Sequence, residues 1–250
     1  MKHADRTVTT VGEIVSALRD YSADTEILWF RGHSAESWDL VPSIGRKAGD
    51  LAGELTVIKV FKQRSRPYLP TVPTSEWEWI FLMQHHRAPT RLLDWTASPL
   101  TALYFALSDP EAKYEAEDAA LWVLDPIALN KASGHKRNFP RDILAFGVDG
   151  ALDQYLPEQV NSRLADLDPV AAIGPQNSAR MAAQAGSFTI MHADVRDVKA
   201  VGDGSHIWRM IVPAASKASL RQELTLLGVT EDILFPDLDR VAAAARGLLG

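Results

Sequence analysis

Residues 80–106 read I-F-L-M-Q-H-H-R-A-P-T-R-L-L-D-W-T-A-S-P-L-T-A-L-Y-F-A. Gln84, His85, His86, Arg87, Arg91, Asp94 and Trp95 are crowded between two apolar runs. Polar groups next to buried flanks need partners, so the stretch is either a satisfied internal network or part of a site. The first run belongs to a helix that Ser75 opens and that passes through Trp77, Ile80, Phe81 and Met83 to Gln84 and His85. Arg87-Ala88-Pro89 stops it, because a residue before proline avoids the α region. Pro99 to Leu107 predicts a helix apolar nearly all round, and therefore buried. Between the two, one reading has Asp94 bridging Arg91 and the backbone with Trp95 packed above. The other uses His85 or His86, near Arg91 and Asp94, for acid–base or ligand chemistry; the residues alone leave both open.

Outward from this centre, Thr10 to Tyr21 predicts a helix with a capping-box-like Thr10 and Glu13, and with Ile14, Val15 and Leu18 on one face. Ile27 to Phe30 predicts a buried strand with Arg31-Gly32-His33 at its end. Gly53 to Arg66 is helical by periodicity, and Pro67, Pro70 and Pro73 then force a loop. Later strands are expected at 119–124, 188–192 and 207–212, an amphipathic helix at 216–227 capped by Gly228, and a last helix at 239–249. Residues 127–165 give weak signals. The sum is a single α+β domain with a core from about residue 10 to 240. Its short strands pair across large sequence separations, as a small mixed sheet or as split sheets.

Apolar residues make up 46% and charged residues 23%, as in a soluble globular protein. The net charge of -6 argues against a general nucleic-acid coat, while leaving room for a local basic cleft. With no cysteine, neither disulfides nor thiolate metal sites are available. The first ten residues hold no apolar core and no apolar run approaches the ~20 residues of a membrane span, so a cytoplasmic chain is expected.

Four clusters carry potential chemistry. Arg31, just after an apolar strand, could grip a phosphate or carboxylate with its fork, and Gly32 permits close approach of backbone or ligand; a structural ion pair with a turn glycine explains the same letters. His85 and His86 are adjacent and point apart on a helix, so they cannot share a metal, and no metal is expected. Gln184 to Thr189 could present donors to a ligand or simply enter a strand. Thr230-Glu231-Asp232 with Asp237 and Asp239 could supply a catalytic carboxylate, although Asp239 also suits a helix N-cap. Neither a Walker loop, a G-x-G-x-x-G turn nor a G-x-S-x-G elbow occurs.

With these segments read, the chain resembles the FRG domain family, named for its Phe/Tyr-Arg-Gly motif. Phe30-Arg31-Gly32 matches that motif, and Gln84 to Ala106 matches the family's most distinctive stretch. A-R-M-A-A-Q-A-G-S-F-T and L-G-V-T-E-D-I-L-F-P-D-L-D look like its later motifs, so the resemblance runs from Trp29 to Asp239. Arg87 departs from the family, which commonly carries a small residue there, often glycine. More distantly, aromatic-Arg-Gly is similar to the first element of the Arg-Ser-Glu class of ADP-ribosyltransferases. That similarity implies NAD as substrate, with Arg31 on its phosphates and a transferase or NAD-hydrolysing activity. Thr96 and Ser98, or Ser187 and Thr189, compete for the Ser/Thr element, and Glu231 and Glu223 compete for the late glutamate. The implied site comprises Arg31, His85, His86 and Glu231 for chemistry, and Arg31, Gly32, His33, Gln84, Arg91 and Thr96 for holding NAD. A protein or nucleic-acid acceptor would be the partner, and a toxin or phage-defence effector is a setting that such a protein suits. The alternative is a non-enzymatic module that binds a phosphorylated ligand or nucleic acid through Arg31, Arg91 and Arg87.

Overall fold

A computed structural model describes residues 4–21, 27–47, 49–135, 142–160, 166–174, 186–235 and 246. Among them, eight strands form one sheet: β1 (Arg6–Thr7), β2 (Trp29–His33), β3 (Leu92–Thr96), β4 (Ala119–Leu124), β5 (Leu144–Ala145), β6 (Val170–Ile173), β7 (Gly186–Ile190) and β8 (Ile207–Val212). The spatial order is β1-β8-β4-β2-β3-β7-β6-β5. The outermost pair at each edge is parallel and every other pair is antiparallel. The helices are α1 (Val11–Tyr21), α2 (Glu54–Ser65), α3 (Glu76–His85), α4 (Pro99–Leu107), α5 (Pro126–Ala132), α6 (Pro157–Val160), α7 (Lys217–Leu226) and α8 (Glu231–Leu234). The fold is α+β, and the expected strands belong to a single mixed sheet. None of the described helices is long and apolar enough to cross a membrane.

The middle of this sheet is its weakest seam. β2 pairs with β4 over five residues, and β3 with β7 over five. β2 and β3 share one ladder pair, Phe30 with Thr96, and then part. The sheet is therefore two four-stranded halves joined at a single residue pair, with a fork on the side of Arg31 and Asp94.

Helices hold the halves from outside. α1, α4 and α7 pack Ile14, Tyr21, Leu103, Leu107, Leu220 and Leu224 against Phe30, Leu121, Val123, Trp208 and Met210. On the other face Trp29, Trp122, Leu93 and Trp95 form a second core with Leu129 and Ile207. α3 adds Trp77, Ile80 and Phe81 to Phe146, Tyr155 and Phe188. Each such fully buried side chain contributes roughly 1.5–3 kcal/mol. α4 lies so close to β2 that a Cβ on Gly32 would meet the Ala102 carbonyl oxygen at 2.0 Å and the Ala106 nitrogen at 2.4 Å. Of the two readings of Gly32, close approach of backbone is met by α4, and Gly32 also lines the cavity described below.

Several elements correct the sequence reading. β3 was not expected: Thr90, Arg91 and Asp94 interrupt its apolar pattern, and only pairing with β7 reveals it. β2 runs on through His33, so Arg31 lies within a strand rather than after one. β7 begins at Gly186, which puts Ser187 and Thr189 inside the ladder. β1, β5 and β6, of two to four residues, are too short to carry a period. Asp125 caps α5 by accepting from Ala128, and Gly228 ends α7 with φ of 74°. Gln184, Asp237, Asp239 and the helix expected at 239–249 lie outside the described residues.

Candidate functional site in the fork of the sheet

The fork between β2 and β3 opens into a cavity of about 510 Å³, roofed by the end of α3 and the face of α4. Arg31 forms its floor. Nη1 donates to the Asp94 carbonyl oxygen at 2.7 Å, bridging the strands where their ladder has stopped, and Nε donates to His33 Nε2 at 3.0 Å. Among the described residues Nη2 has no hydrogen-bond partner. Burial, reinforced by the nearby positive charge of Arg46 and opposed by Asp94, brings the Arg31 pKa down to about 10.

The same arrangement fixes His33. It is buried, accepts from Arg31, and is pushed down to about 3 by burial and then by the charges of Arg31 and Arg46. His33 is thus a neutral support under the arginine, with its ring 5.7 Å from Trp38, and it does not line the cavity.

Asp94 projects into the cavity from β3. Its Oδ2 accepts from Gln84 Nε2 at 2.8 Å, and Gln84 Oε1 accepts in turn from the Thr90 hydroxyl. Gln84, His85, Asp94 and Thr96 all line the cavity, as do the aromatic rings of Trp38, Phe81, Phe105 and Phe188. Asp94 is the one carboxylate among the lining residues.

Two further arginines reach the cavity from its rim. Arg46 follows the short turn Ser43–Gly45, and Arg87 follows α3. Neither has a carboxylate partner among the described residues. Arg87 adopts φ of 59°. It occupies the left-handed position of a helix-ending motif in which Ala88 N donates to Met83 O and Arg87 N to Gln84 O. Glycine suits that position, so an arginine there is held in a strained backbone conformation.

The remaining expected site residues divide. His85 lines the cavity; His86 is exposed beside it, its ring 5.0 Å from that of His85 and nearly perpendicular. Arg91 does not pair with Asp94. It is buried against Glu54 of α2, donating Nε at 2.8 Å to both carboxylate oxygens, and it also binds the His192 carbonyl. Arg91 lies just before β3, where it meets α2 rather than the fork. Thr96 is buried and accepts from Ser98 N at 3.1 Å, and the Ser98 hydroxyl caps α4. Thr189 accepts from the Trp95 indole at 3.1 Å, away from the cavity. Glu223 caps α1 through Val11 N at 2.8 Å, and Glu231 is exposed in the first turn of α8; neither lines the cavity. Among the described residues no three His, Asp or Glu side chains are placed to share a metal ion. Sequence reasoning missed Arg46, which sits in an ordinary P-S-I-G-R turn with no pattern to mark it.

The family model of the FRG domain matches residues 26–115. That segment is similar to the FRG domain. The match takes in β2, α3, β3 and α4, and so nearly every residue that lines the cavity; it is shorter than the span from Trp29 to Asp239 suggested by the later motifs. The sheet continues beyond it, since β4, which pairs with β2, and β7, which pairs with β3, lie outside the match. Comparison with characterised proteins gave no match, and comparison with solved structures gave none.

Proposed function

We propose that the FRG-domain cavity binds NAD, and that the protein transfers ADP-ribose to an acceptor or hydrolyses NAD. The observation that carries this reading is the convergence of Arg31, Arg46 and Arg87 on one aromatic-walled cavity holding a single carboxylate. The charge of Arg46 acts against that of Arg31, and an anion in the cavity relieves that repulsion. A pyrophosphate offers oxygens to the free Nη2 of Arg31 and to both rim arginines, while flat rings find faces in Trp38, Phe81, Phe105 and Phe188. The volume of about 510 Å³ suits a ligand of nucleotide size.

In the reaction the bond between ribose C1′ and the nicotinamide nitrogen breaks, and its electron pair leaves with neutral nicotinamide. Positive charge develops on the ribose. An acceptor oxygen or nitrogen, or water, then bonds to C1′ and loses a proton. His85 is the titratable group at the rim near which that nucleophile would enter. Residues of the chain act by holding the phosphates, excluding water and stabilising the developing charge. The acceptor, whether protein or nucleic acid, would decide whether the setting is that of a toxin or of phage defence.

A second reading, binding without turnover, is favoured by the excess of cations over carboxylates in the cavity. One experiment separates the two. NAD binding is measured by calorimetry and nicotinamide release by chromatography, for the wild type and for Arg31→Ala. The enzyme reading expects both signals, with Arg31→Ala weakening NAD binding about ten- to a hundredfold, as for loss of charge-assisted hydrogen bonds. Binding with no nicotinamide released leaves the module. Neither binding nor release removes the NAD reading.

A further inference from the structure

We infer that Asp94 is the carboxylate that stabilises the reacting ribose, and that Gln84 is the positioning residue that aims it; this rests on the NAD reading above. The late glutamate implied by resemblance does not reach the cavity, whereas Asp94 stands in it beside Arg31. Three features of Asp94 fit the role. Its backbone carbonyl is held by Arg31, so the group that grips phosphate and the group that faces ribose are fixed relative to each other. Its side chain is exposed and lines the cavity, and among the described residues Oδ1 has no hydrogen-bond partner. Its Oδ2 is occupied by Gln84, itself anchored by the Thr90 hydroxyl. Thr90 is buried and also accepts from Leu92 N at 3.2 Å, so the relay is tied to the entry of β3.

Such a chain leaves one carboxylate oxygen for substrate and prevents the side chain from turning onto Arg31. A carboxylate paired fully with Arg31 would be neutralised in place. Here the guanidinium spends its bonds on the Asp94 backbone and on His33, and the negative charge stays available. The charged and titratable groups sharing the cavity with Asp94 are Arg31 from β2, Arg46 from the turn after Ser43–Gly45, and His85 and Arg87 from the end of α3. When nicotinamide leaves, Asp94 is the one negative side chain among the lining residues able to face the positive ribose.

The test measures NAD affinity, kcat and the pH dependence of kcat for wild type, Asp94→Asn, Gln84→Ala, Gln84→Glu and Glu231→Gln. Asparagine keeps the size of Asp94 and can still accept from Gln84, so the fold is retained. The expected result is a loss of kcat of about a hundredfold or more in Asp94→Asn with NAD affinity held within about threefold, the size seen when one preorganised electrostatic group is removed. Gln84→Ala loses roughly tenfold in kcat with unchanged affinity. Gln84→Glu sets a second carboxyl against Oδ2, so the acidic limb of the kcat profile moves to higher pH, a shift that a purely structural role would not produce. Glu231→Gln keeps wild-type turnover. Turnover in Asp94→Asn within about threefold of wild type overturns the assignment and leaves the NAD reading standing, as does an unmoved pH profile in Gln84→Glu. Loss of turnover in Glu231→Gln alone would return the role to the late carboxylate. A wild type that neither binds NAD nor releases nicotinamide overturns both readings.

Discussion

Arg87 pays for its place in the cavity with backbone strain. Its φ of 59° is left-handed, and side chains other than glycine lose about 1 kcal/mol or more there. Strain retained at a cleft is a pointer to function. Replacing Arg87 by glycine is expected to stabilise the fold by about 1 kcal/mol in chemical denaturation while weakening NAD binding severalfold. A variant that is more stable and binds NAD as well as wild type would show that Arg87 takes no part. His33 gives a pH signature at the same scale. Its folded pKa of about 3 lies far below the ordinary 6.5, so between those values the unfolded chain binds a proton that the folded chain refuses. Stability contributed by neutral His33 is complete above pH 6.5 and is lost as pH falls, by up to about 1.4 kcal/mol per unit. Urea unfolding of wild type between pH 6.5 and 5 is expected to show this slope. His33→Gln, whose side-chain oxygen can still accept from Arg31, is expected to flatten it.

Elements are held in place by two contacts that no local pattern announces. The first is Arg91 with Glu54, a buried pair joining the entry of β3 to the first turn of α2 across 37 positions. Removing one partner leaves a buried charge unpaired, so Arg91→Ala is expected to lose about 3–5 kcal/mol. The double change Arg91→Met with Glu54→Leu is expected to lose much less, which a double-mutant cycle in urea measures directly. Equal losses in both would mean that the charges are not coupled. The second contact is the approach of α4 to Gly32. Alanine there would drive Cβ into the Ala102 carbonyl and the Ala106 backbone, and neither can yield without moving the helix that roofs the cavity. The start of α3 is different, because it is purely local. Ser75 accepts from Glu78 N at 3.2 Å and the Glu78 carboxylate accepts from Ser75 N at 3.2 Å, a complete capping box.

At the scale of the molecule, the site lies where two four-stranded half-sheets meet. Their ladder connection is one residue pair, supplemented by Arg31 reaching the Asp94 carbonyl. A ligand in the fork would touch both halves, so its binding energy would act on the seam. At a hundredfold excess over Kd, binding is expected to add about 2.7 kcal/mol and raise Tm by about 5–10 °C. Amide exchange is expected to slow most in Arg31–His33 and Leu93–Trp95, the strand segments that flank the fork. Protection that appears elsewhere, with these segments unchanged, would place the ligand at another site.

The sequence by itself determined the α+β class, the helices α1 to α4 and α7, the strands at 119–124 and 207–212, and the placing of Arg31 and His85 in one cleft. Each rests on information local in the chain: a period, a cap, a proline stop, or a short motif whose residues stay adjacent. Tertiary structure decided the rest. β3 is a strand because β7 lies beside it, although Arg91 and Asp94 break its apolar pattern. Arg91 turned out to brace α2 rather than Asp94, because Glu54 is brought to it from far away in sequence. Gly32 lets α4 pack closely on β2, and Glu223 and Glu231 were carried elsewhere by α7 and α8. Arg46 carried no signal at all until folding set it on the cavity. Ladder pairing, long-range ion pairs and the fork itself depend on distances between residues far apart in the chain, and those distances exist only once the halves of the sheet have met.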